Sequence, residues 1–378
     1  MTGIYIHIPF CRSRCIYCDF YSTTLSSTWQ LPYVEALEKE LQLRIKDAND
    51  KPLTSIYIGG GTPSQLTGEA LRRLFSSVCK QVTLAPDAEI TIEANPDDVN
   101  QDWIALLKET PVNRISMGVQ SFNDGTLQLL RRRHSAKQAI EAVRLLQKAG
   151  YSNLSLDLIY GLPGQTHEQF TNDVRTALSL GITHLSAYAL QFEMGTPLYS
   201  MLERGEINEA DEELSLACYN SLIDITAEAG MEHYEISNFA MPGHRSRHNS
   251  SYWTNQPYIG LGAGAHSYNP KSCVRSSNCE DIKQYIDSIS RGELPSTEEH
   301  LNEEERYNEL IMLSLRTVEG LSLSRLLGEY GQERLDYCLR MAQPHINNGN
   351  LRKTADEALC LTRRGLFVSD SIIRDLML

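Results

Sequence analysis

The chain has 378 residues, of which 41% are hydrophobic and 22% are charged, as in a globular protein with a buried core. Its formal net charge of −13 disfavours binding to nucleic acid and to anionic membrane surfaces. No apolar run approaches the roughly 18 residues that a transmembrane helix needs, and the first residues do not resemble a secretory signal, so we expect a cytoplasmic protein.

Residues 3–190 are predicted to alternate between strands and helices. Ile4, Ile6 and Ile8 recur with the period of two that indicates a strand. Five further strands are predicted at 55–58, 89–93, 114–119, 154–160 and 184–190. Helices are predicted between them, at 32–46, 67–80, 101–109, 123–149 with a break near 135, and 167–180. This series of βα units predicts parallel strands in an open doubly wound sheet or a partial barrel, with ligands at the carboxyl ends of the strands.

The βα pattern stops near residue 211. Residues 211–229 are predicted to be helical, 233–270 irregular, and 280–378 a series of short helices with strand-like segments at 351–353 and 367–368. This tail predicts a small, mainly helical, winged-helix-like module, although its glutamates between 298 and 305 disfavour DNA binding. We therefore expect three parts, a barrel at 1–230, a connecting region at 231–295 and a C-terminal domain at 296–378.

Cys11, Cys15 and Cys18 follow the first predicted strand with the spacing Cys-x3-Cys-x2-Cys. Three thiolates can hold three irons of a 4Fe–4S cluster and leave the fourth iron open, although such clusters normally have four cysteine ligands. Structural zinc is one alternative, but it usually takes four protein ligands in paired close spacings. Unligated thiols are another. The spacing favours an iron–sulfur cluster.

Small and polar residues follow the other predicted strands. The segment Gly59-Gly60-Gly61-Thr62-Pro63 would let a ligand approach the backbone closely, although a glycine triplet is more often a simple turn. Arg132 could pair with a carboxylate or lie on a solvated helix face. Four later strands carry a lone polar residue at or near their ends, and each could also make a structural hydrogen bond: Glu93, Gln120, Asp157 and Gln191. Together these residues predict a ligand site at one barrel mouth.

The cysteine loop after the first strand and the glycine segment after the second make residues 3 to about 190 resemble the radical S-adenosylmethionine (SAM) superfamily. That resemblance implies a partial (β/α)6 barrel. It also implies that Cys11, Cys15 and Cys18 hold a 4Fe–4S cluster whose open iron binds the amino and carboxylate groups of SAM. In the superfamily an electron from the cluster cleaves SAM to a deoxyadenosyl radical, so an electron donor is an implied partner.

Three segments resemble the oxygen-independent coproporphyrinogen III oxidase group of that superfamily, namely Tyr5-Ile-His-Ile-Pro-Phe-Cys11, Gly118-Val-Gln-Ser-Phe-Asn123 and Asp157-Leu-Ile-Tyr-Gly-Leu-Pro-Gly-Gln-Thr166. The resemblance implies that four residues face the SAM on the cluster: Tyr5, Gly60, Glu93 and Gln191. Six more match positions that contact a second SAM in the oxidase: Tyr17, Gly61, Thr62, Gln120, Arg132 and Asp157.

Two features separate the chain from that oxidase group. Phe20 stands where the oxidase motif has a further cysteine, and the oxidase has an extension ahead of its first strand. The segment His248-Asn249-Ser250-Ser251-Tyr252-Trp253 resembles the His-Asn-x-x-Tyr-Trp motif of the HemW haem chaperone family, whose histidine is associated with haem. Imidazole is a common haem ligand and aromatic rings suit a porphyrin, but a histidine among aromatic residues is more often structural, and His244 is an alternative ligand.

The resemblance to the HemW family implies a haem chaperone. Such a protein would bind haem at His248, in a pocket separate from the barrel mouth, and pass it to an acceptor protein. Membrane contact would occur only through that acceptor, and no residue is assigned a catalytic role. Whether the chain is also an enzyme stays open, since oxidative decarboxylation of coproporphyrinogen III is the alternative. Radical chemistry on another tetrapyrrole is a third reading.

Overall fold

This computed structural model describes residues 3–48 and 52–378, and within them the chain forms 15 strands and 14 helices. The strands are β1 Gly3–Ile8, β2 Leu53–Gly60, β3 Leu84–Ala94, β4 Arg114–Gln120, β5 Leu154–Tyr160, β6 His184–Ala189, β7 Glu232–Glu235, β8 Asn238–Ala240, β9 Tyr258–Leu261, β10 His266–Asn269, β11 Val274–Asn278, β12 Ser296–His300, β13 Leu321–Ser322, β14 Leu351–Lys353 and β15 Ala358–Leu361. The helices are α1 Gln30–Ala48, α2 Gly68–Gln81, α3 Gln101–Leu107, α4 Asp124–Leu129, α5 Ala136–Lys148, α6 His167–Ser179, α7 Pro197–Glu203, α8 Glu212–Glu228, α9 Arg247–Trp253, α10 Ile282–Ser290, α11 Glu303–Leu315, α12 Leu323–Asn347, α13 Arg363–Leu366 and α14 Ser369–Leu376.

The six predicted barrel strands are confirmed as β1 to β6, which pair in chain order and run parallel. Ile4, Ile6 and Ile8 are fully buried in the hydrophobic core. Because side chains alternate between the faces of a strand, Tyr5 and His7 lie on the opposite face, which is the interior of the barrel. The predicted partial barrel is therefore correct, and its interior is lined by polar and aromatic residues.

The sheet extends beyond the barrel on both sides. Strand β9 pairs in parallel with β1 and leads to antiparallel β10, β11 and β12. Strand β8 pairs antiparallel with β6, and β7 forms the other edge. The prediction that 233–270 is irregular is therefore wrong. Strands β7 to β10 have only three or four residues each, too few to show a clear alternation of polar and apolar residues.

Local sequence explains where the helices around the barrel begin. The Thr67 side chain accepts a hydrogen bond from the Ala70 backbone at the start of α2, as predicted. Ser135 and Gln138 form a capping box that begins α5 and accounts for the predicted break near residue 135. These helices follow each strand and leave the carboxyl ends of the strands free to form a site.

A second hydrophobic cluster lies in the C-terminal part, where α11, α12 and α14 pack on the small sheet β13-β15-β14. The predicted strand at 351–353 is confirmed. The predicted strand at 367–368 is wrong, because Phe367 ends α13 and Val368 precedes α14. The pairing strand is β15, which was missed because its sequence Ala-Leu-Cys-Leu carries little strand propensity. Among the described residues, none of the helices combines the length and the hydropathy needed to cross a bilayer.

Candidate functional site

The first cysteine of the loop, Cys11, lies three residues after the end of β1, and the loop closes back on its own start. The Cys11 backbone N–H donates to Thr23 O at 2.8 Å. Two side chains from other barrel units donate to the thiol sulfurs: Thr62 Oγ1 lies 3.4 Å from Cys11 Sγ, and Arg132 Nη1 lies 3.2 Å from Cys15 Sγ. Donors that point at sulfur stabilise a thiolate, so the loop is prepared for metal-bound cysteines.

Without a metal the thiols of Cys11 and Cys18 are held neutral. Burial raises the pKa of Cys11, and burial raises the pKa of Cys18 to about 11. A metal-bound cysteine is a thiolate, so cluster binding must release protons here. Within residues 3–48 and 52–378, no three His, Cys, Asp or Glu side chains lie close enough to hold a single metal ion. In a 4Fe–4S cluster each thiolate binds a different iron, and a loop with this spacing suits that arrangement.

The glycine segment after β2 forms an open backbone surface beside the cysteine loop. Gly60 has a φ of +108°, and a Cβ built on it would lie 2.6 Å from the ring of His7. Its backbone N–H donates to Glu93 Oε2 at 3.1 Å. A Cβ on Gly61 would lie 2.8 Å from the backbone of Pro9. Glycine is therefore required at both positions, and the absence of side chains leaves room for the amino-acid part of a ligand.

Glu93, near the end of β3, is the carboxylate that contacts this glycine segment. Tyr57 donates its hydroxyl to Glu93 Oε1 at 2.7 Å, and the ring of Tyr57 stacks on that of Tyr5 at a centroid distance of 6.2 Å. Burial raises the pKa of Glu93 to about 7; the hydrogen bond from Tyr57 offsets part of the rise, and the charge of Asp157 adds to it. A cationic ligand would restore the carboxylate, which suits the ammonium group of SAM.

Asp157 on β5 is a second carboxyl group inside the barrel. Ser116 of β4 lies 3.5 Å from its Oδ1, and Ser186 of β6 also donates to it. Burial raises the pKa of Asp157 to about 6, and these hydrogen bonds offset part of the rise. Glu93 and Asp157 are therefore both half-buried on the inner side of the barrel, and both favour a ligand with donors or positive charge.

Gln120 ends β4 with a φ of +70°, which is uncommon for a residue other than glycine. The following turn is fixed by Asp173 of α6, which accepts from Ser121 Oγ at 2.6 Å and from the Phe122 N–H at 2.8 Å. This anchoring holds the Gln120 side chain beside Gly118, where a Cβ would lie 2.9 Å from Gln120 Nε2. The motif Gly-Val-Gln-Ser-Phe thus places Gln120 at the barrel mouth.

Arg132 joins the cysteine loop to the ends of β3 and β4. Besides Cys15, its guanidinium donates to Asn95 Oδ1 at 2.7 Å and to Gly118 O at 2.5 Å. Among the described residues its buried Nε has no hydrogen-bond partner. The orphaned donor, the glycine surface and the three thiols fit a 4Fe–4S cluster with a carboxylate-bearing ligand beside it. Asn95 was missed by the sequence reasoning, although it follows Glu93 in the same strand-end segment.

Tyr17 and Gln191 lie at the rim of the mouth. Tyr17 packs against Leu130 at the end of α4 and against Ile159 and Leu162 at the end of β5. Gln191 follows β6 and is exposed. The structure thus brings Tyr5, the glycine segment, Glu93, Gln120, Arg132 and Asp157 together around the cysteine loop, with Tyr17 and Gln191 at its edge.

His248 lies on α9 at the opposite end of the same barrel and is 1% exposed. Its Nδ1 lies 2.9 Å from Ser55 Oγ, and its Nε2 lies 2.8 Å from Tyr252 OH. Burial, followed by the charge of Arg114, lowers the pKa of His248 to about 3, so the imidazole is neutral. The ring nevertheless contacts the barrel interior, because it stacks on Tyr57 at a centroid distance of 5.2 Å.

Comparison with known families agrees with this geometry. The model of the radical SAM superfamily matches residues 5–177, and that of the HemN C-terminal domain matches residues 301–368. The solved structure of coproporphyrinogen III oxidase (HemN) from Escherichia coli, a radical SAM enzyme, covers 100% of this chain and 90% of its own with a TM-score of 0.85. The two sequences are 22% identical, so this likeness shows the fold alone.

Several heme chaperones are similar in sequence. HemW of Bacillus subtilis (strain 168) is 36% identical over 374 residues, which cover 98% of each chain. HemW of Mycobacterium tuberculosis (strain H37Rv) is 35% identical and covers 99% of this chain and 94% of its own. HemW of Escherichia coli (strain K12) is 40% identical over 70% of this chain and 69% of its own.

The cofactors follow from the superfamily. Radical SAM proteins carry a 4Fe–4S cluster and SAM, and here Cys11, Cys15 and Cys18 would hold the cluster. A cluster bound there would be a source of single electrons, and Gly60 and Glu93 beside it would orient a ligand. The sequence similarity extends over both the barrel and the C-terminal part, and the chain belongs to the HemW family of radical SAM proteins.

Proposed function

We propose that this chain is a haem chaperone, which binds haem and transfers it to an acceptor protein while carrying a 4Fe–4S cluster and SAM. The observation that carries the proposal is the match with the heme chaperone HemW of Bacillus subtilis along 98% of both chains. Phe20 supports it, since this side chain is 65% exposed just after the cluster loop, where the oxidase motif has a cysteine.

His248 is the proposed haem ligand, and its position sets a requirement. A neutral imidazole is the form that binds iron, and the lowered pKa keeps it neutral. Both ring nitrogens are hydrogen-bonded, however, and the side chain is enclosed. Binding therefore requires α9 to move away from the barrel, so that one nitrogen is freed. His244, which lies on the loop before α9 and is only half-buried, is the alternative ligand.

The SAM contacts are proposed as the motifs imply them. Tyr5, Gly60, Glu93 and Gln191 would face the SAM on the cluster, and a second set would face another SAM if one binds: Tyr17, Gly61, Thr62, Gln120, Arg132 and Asp157. The division of the chain at residues 230 and 295, a cytoplasmic location, and an electron donor that reduces the cluster are parts of the same proposal. Any membrane contact would be made through the acceptor.

Coproporphyrinogen III oxidation is the second candidate function. It is favoured by the complete set of polar residues around the barrel mouth, since a protein that only carries haem has no evident need for Glu93 and Asp157 beside the cluster. Phe20 and the aromatic segment around His248 favour the chaperone.

A haem titration of the anaerobically reconstituted protein tests the proposal. We expect about one haem per chain with a Soret band, and His248→Ala should lose most of that band while keeping the cluster absorbance. His167→Ala, which removes an exposed imidazole from α6, is the matched control and should bind haem normally. Absence of stoichiometric haem binding by the unmodified protein would contradict the chaperone function.

A further inference from the structure

Tyr57 joins the proposed SAM site to the proposed haem ligand. Its hydroxyl donates to Glu93 Oε1 at 2.7 Å, and its ring stacks on the imidazole of His248 at 5.2 Å with an interplanar angle of 29°. The ring of Tyr5 stacks on that of Tyr57, and its centroid lies 6.5 Å from that of the His248 imidazole. Glu93 and His248 are therefore separated by a single side chain, although they lie 155 positions apart in the sequence.

The slot that holds His248 is built from several elements. Ser55 of β2 and Tyr252 of α9 bind the two ring nitrogens, and Glu89 of β3 accepts from the His248 backbone N–H at 3.1 Å. Tyr57 closes the face of the ring that points into the barrel. Haem iron can reach the imidazole only after these contacts break. Any interaction that holds Tyr57 more firmly against His248 therefore opposes haem binding.

We propose that Tyr57 is a positioning residue shared by both sites, through which SAM at Glu93 holds His248 in its slot and so favours the release of haem. The inference rests on the proposed function and gives SAM a role that requires no cleavage of the molecule.

The physical reason lies in the acceptor strength of Glu93. Burial raises the pKa of Glu93 to about 7, so at neutral pH the empty site contains a mixture of carboxylic acid and carboxylate. The groups that face it are Tyr57 of β2, Asp157 of β5 and Arg114 of β4. The ammonium group of SAM would favour the carboxylate, and a hydrogen bond to a charged acceptor is roughly twice as strong as one to a neutral acceptor.

The coupling must be reciprocal. If SAM weakens haem binding by a given factor, haem weakens SAM binding by the same factor. The gain of a charge-assisted hydrogen bond corresponds to a factor of about five in affinity. The Tyr57 hydroxyl donates this hydrogen bond. Its removal should therefore abolish the coupling between SAM and haem binding, while the aromatic ring still covers His248.

The experiment measures haem affinity by Soret titration with and without SAM, with the cluster kept oxidised so that SAM stays intact. Three forms are compared: the unmodified protein, Tyr57→Phe and Tyr160→Phe. Tyr160 lies on β5 of the same barrel, packs against Phe170 and Tyr219 outside it, and serves as the matched control. Carbethoxylation of His248, followed by mass spectrometry, gives a second readout of its accessibility.

We expect SAM to weaken haem binding about fivefold in the unmodified protein and in Tyr160→Phe, and to slow the modification of His248 in both. In Tyr57→Phe the haem dissociation constant should be about the same with and without SAM, and SAM should no longer slow the modification of His248. An unchanged or strengthened haem affinity in the presence of SAM, or a full effect in Tyr57→Phe, would overturn the inference but leave the chaperone function standing. A protein that binds no haem would overturn both.

Discussion

Glu93 and Asp157 are half-buried carboxyl groups whose protonation should control SAM binding. Their pKa values are raised to about 7 and about 6, chiefly by burial. The unfolded chain loses these protons at lower pH, so the two groups stabilise the fold most below about pH 4, and this contribution is lost as the pH rises towards 7. Only the charged forms attract the ammonium group of SAM.

We therefore expect SAM affinity to increase roughly tenfold between about pH 5.5 and 8, as measured by anaerobic calorimetry. Glu93→Gln should bind SAM more weakly at pH 8 and show a flatter dependence on pH. It should also be more stable than the unmodified protein at pH 8 in the absence of SAM, because a buried charge has been removed. An equally steep pH profile in Glu93→Gln would show that Glu93 does not contact SAM.

A second prediction at the scale of single residues concerns the three thiols. Reconstituted protein should contain about four irons and four sulfides per chain, and replacing Cys11, Cys15 and Cys18 with alanine should abolish both. Cys273→Ala is the control, since this cysteine lies on the turn between β10 and β11, and its thiol hydrogen-bonds to the backbone there. Stoichiometric zinc without sulfide would contradict the cluster assignment.

At the scale of elements, the glycine segment after β2 is constrained both by its backbone conformation and by the lack of space for a side chain. Gly60→Ala would strain a backbone with a φ of +108° and drive a methyl group into His7. Gly150→Ala is a matched control, because Gly150 has a φ of +96° but no heavy atom within 4 Å of the point that the new methyl group would occupy. Both variants should lose about 1 kcal/mol of stability from the backbone alone.

Only Gly60→Ala should also weaken SAM binding, by more than roughly tenfold, because Gly60 contacts Glu93 and borders the ligand surface. Calorimetry on both variants distinguishes the two constraints. Equal SAM affinity in the two would mean that the glycine segment is only a turn, the alternative that the sequence left open.

The barrel elements were predictable because β1 to β6 are buried strands separated by amphipathic helices. Cys11, Gly60 and Glu93 were placed correctly because each follows or ends such a strand. The strands β7 to β10 that flank the barrel were missed, since β9 pairs with β1 and β8 pairs with β6, which are distant in sequence. The same reason hid Tyr57, whose importance comes from contacts with Glu93 and with His248, and no local pattern reveals these.

At the scale of the whole molecule, the C-terminal part holds α9 against the barrel. Arg316, at the end of α11, donates to Glu235 Oε1 at 2.8 Å through Nη2 and at 3.0 Å through Nε. Its guanidinium also lies 5.0 Å from the ring centroid of Trp253. The side chain of Glu235 is 1% exposed, so this ion pair is enclosed. Opening of α9 for haem must therefore loosen the contact between the two parts.

Removal of one partner of an enclosed ion pair leaves the other charge unpaired. Arg316→Met should lower the free energy of unfolding by about 3 kcal/mol and shift the urea midpoint accordingly. Arg204→Met, which removes an exposed pair with Glu206, should leave the midpoint unchanged. A normal midpoint in Arg316→Met would mean that the pair does not fasten the C-terminal part to the barrel.

The central claim is that this member of the HemW family carries haem and does not oxidise a porphyrinogen. The most direct measurement is an anaerobic assay in which protein with an intact, reduced cluster and SAM is incubated with coproporphyrinogen III. We predict that the porphyrinogen remains unconverted, while the same preparation binds about one haem per chain. Steady production of protoporphyrinogen IX would contradict the chaperone function and establish the enzyme instead.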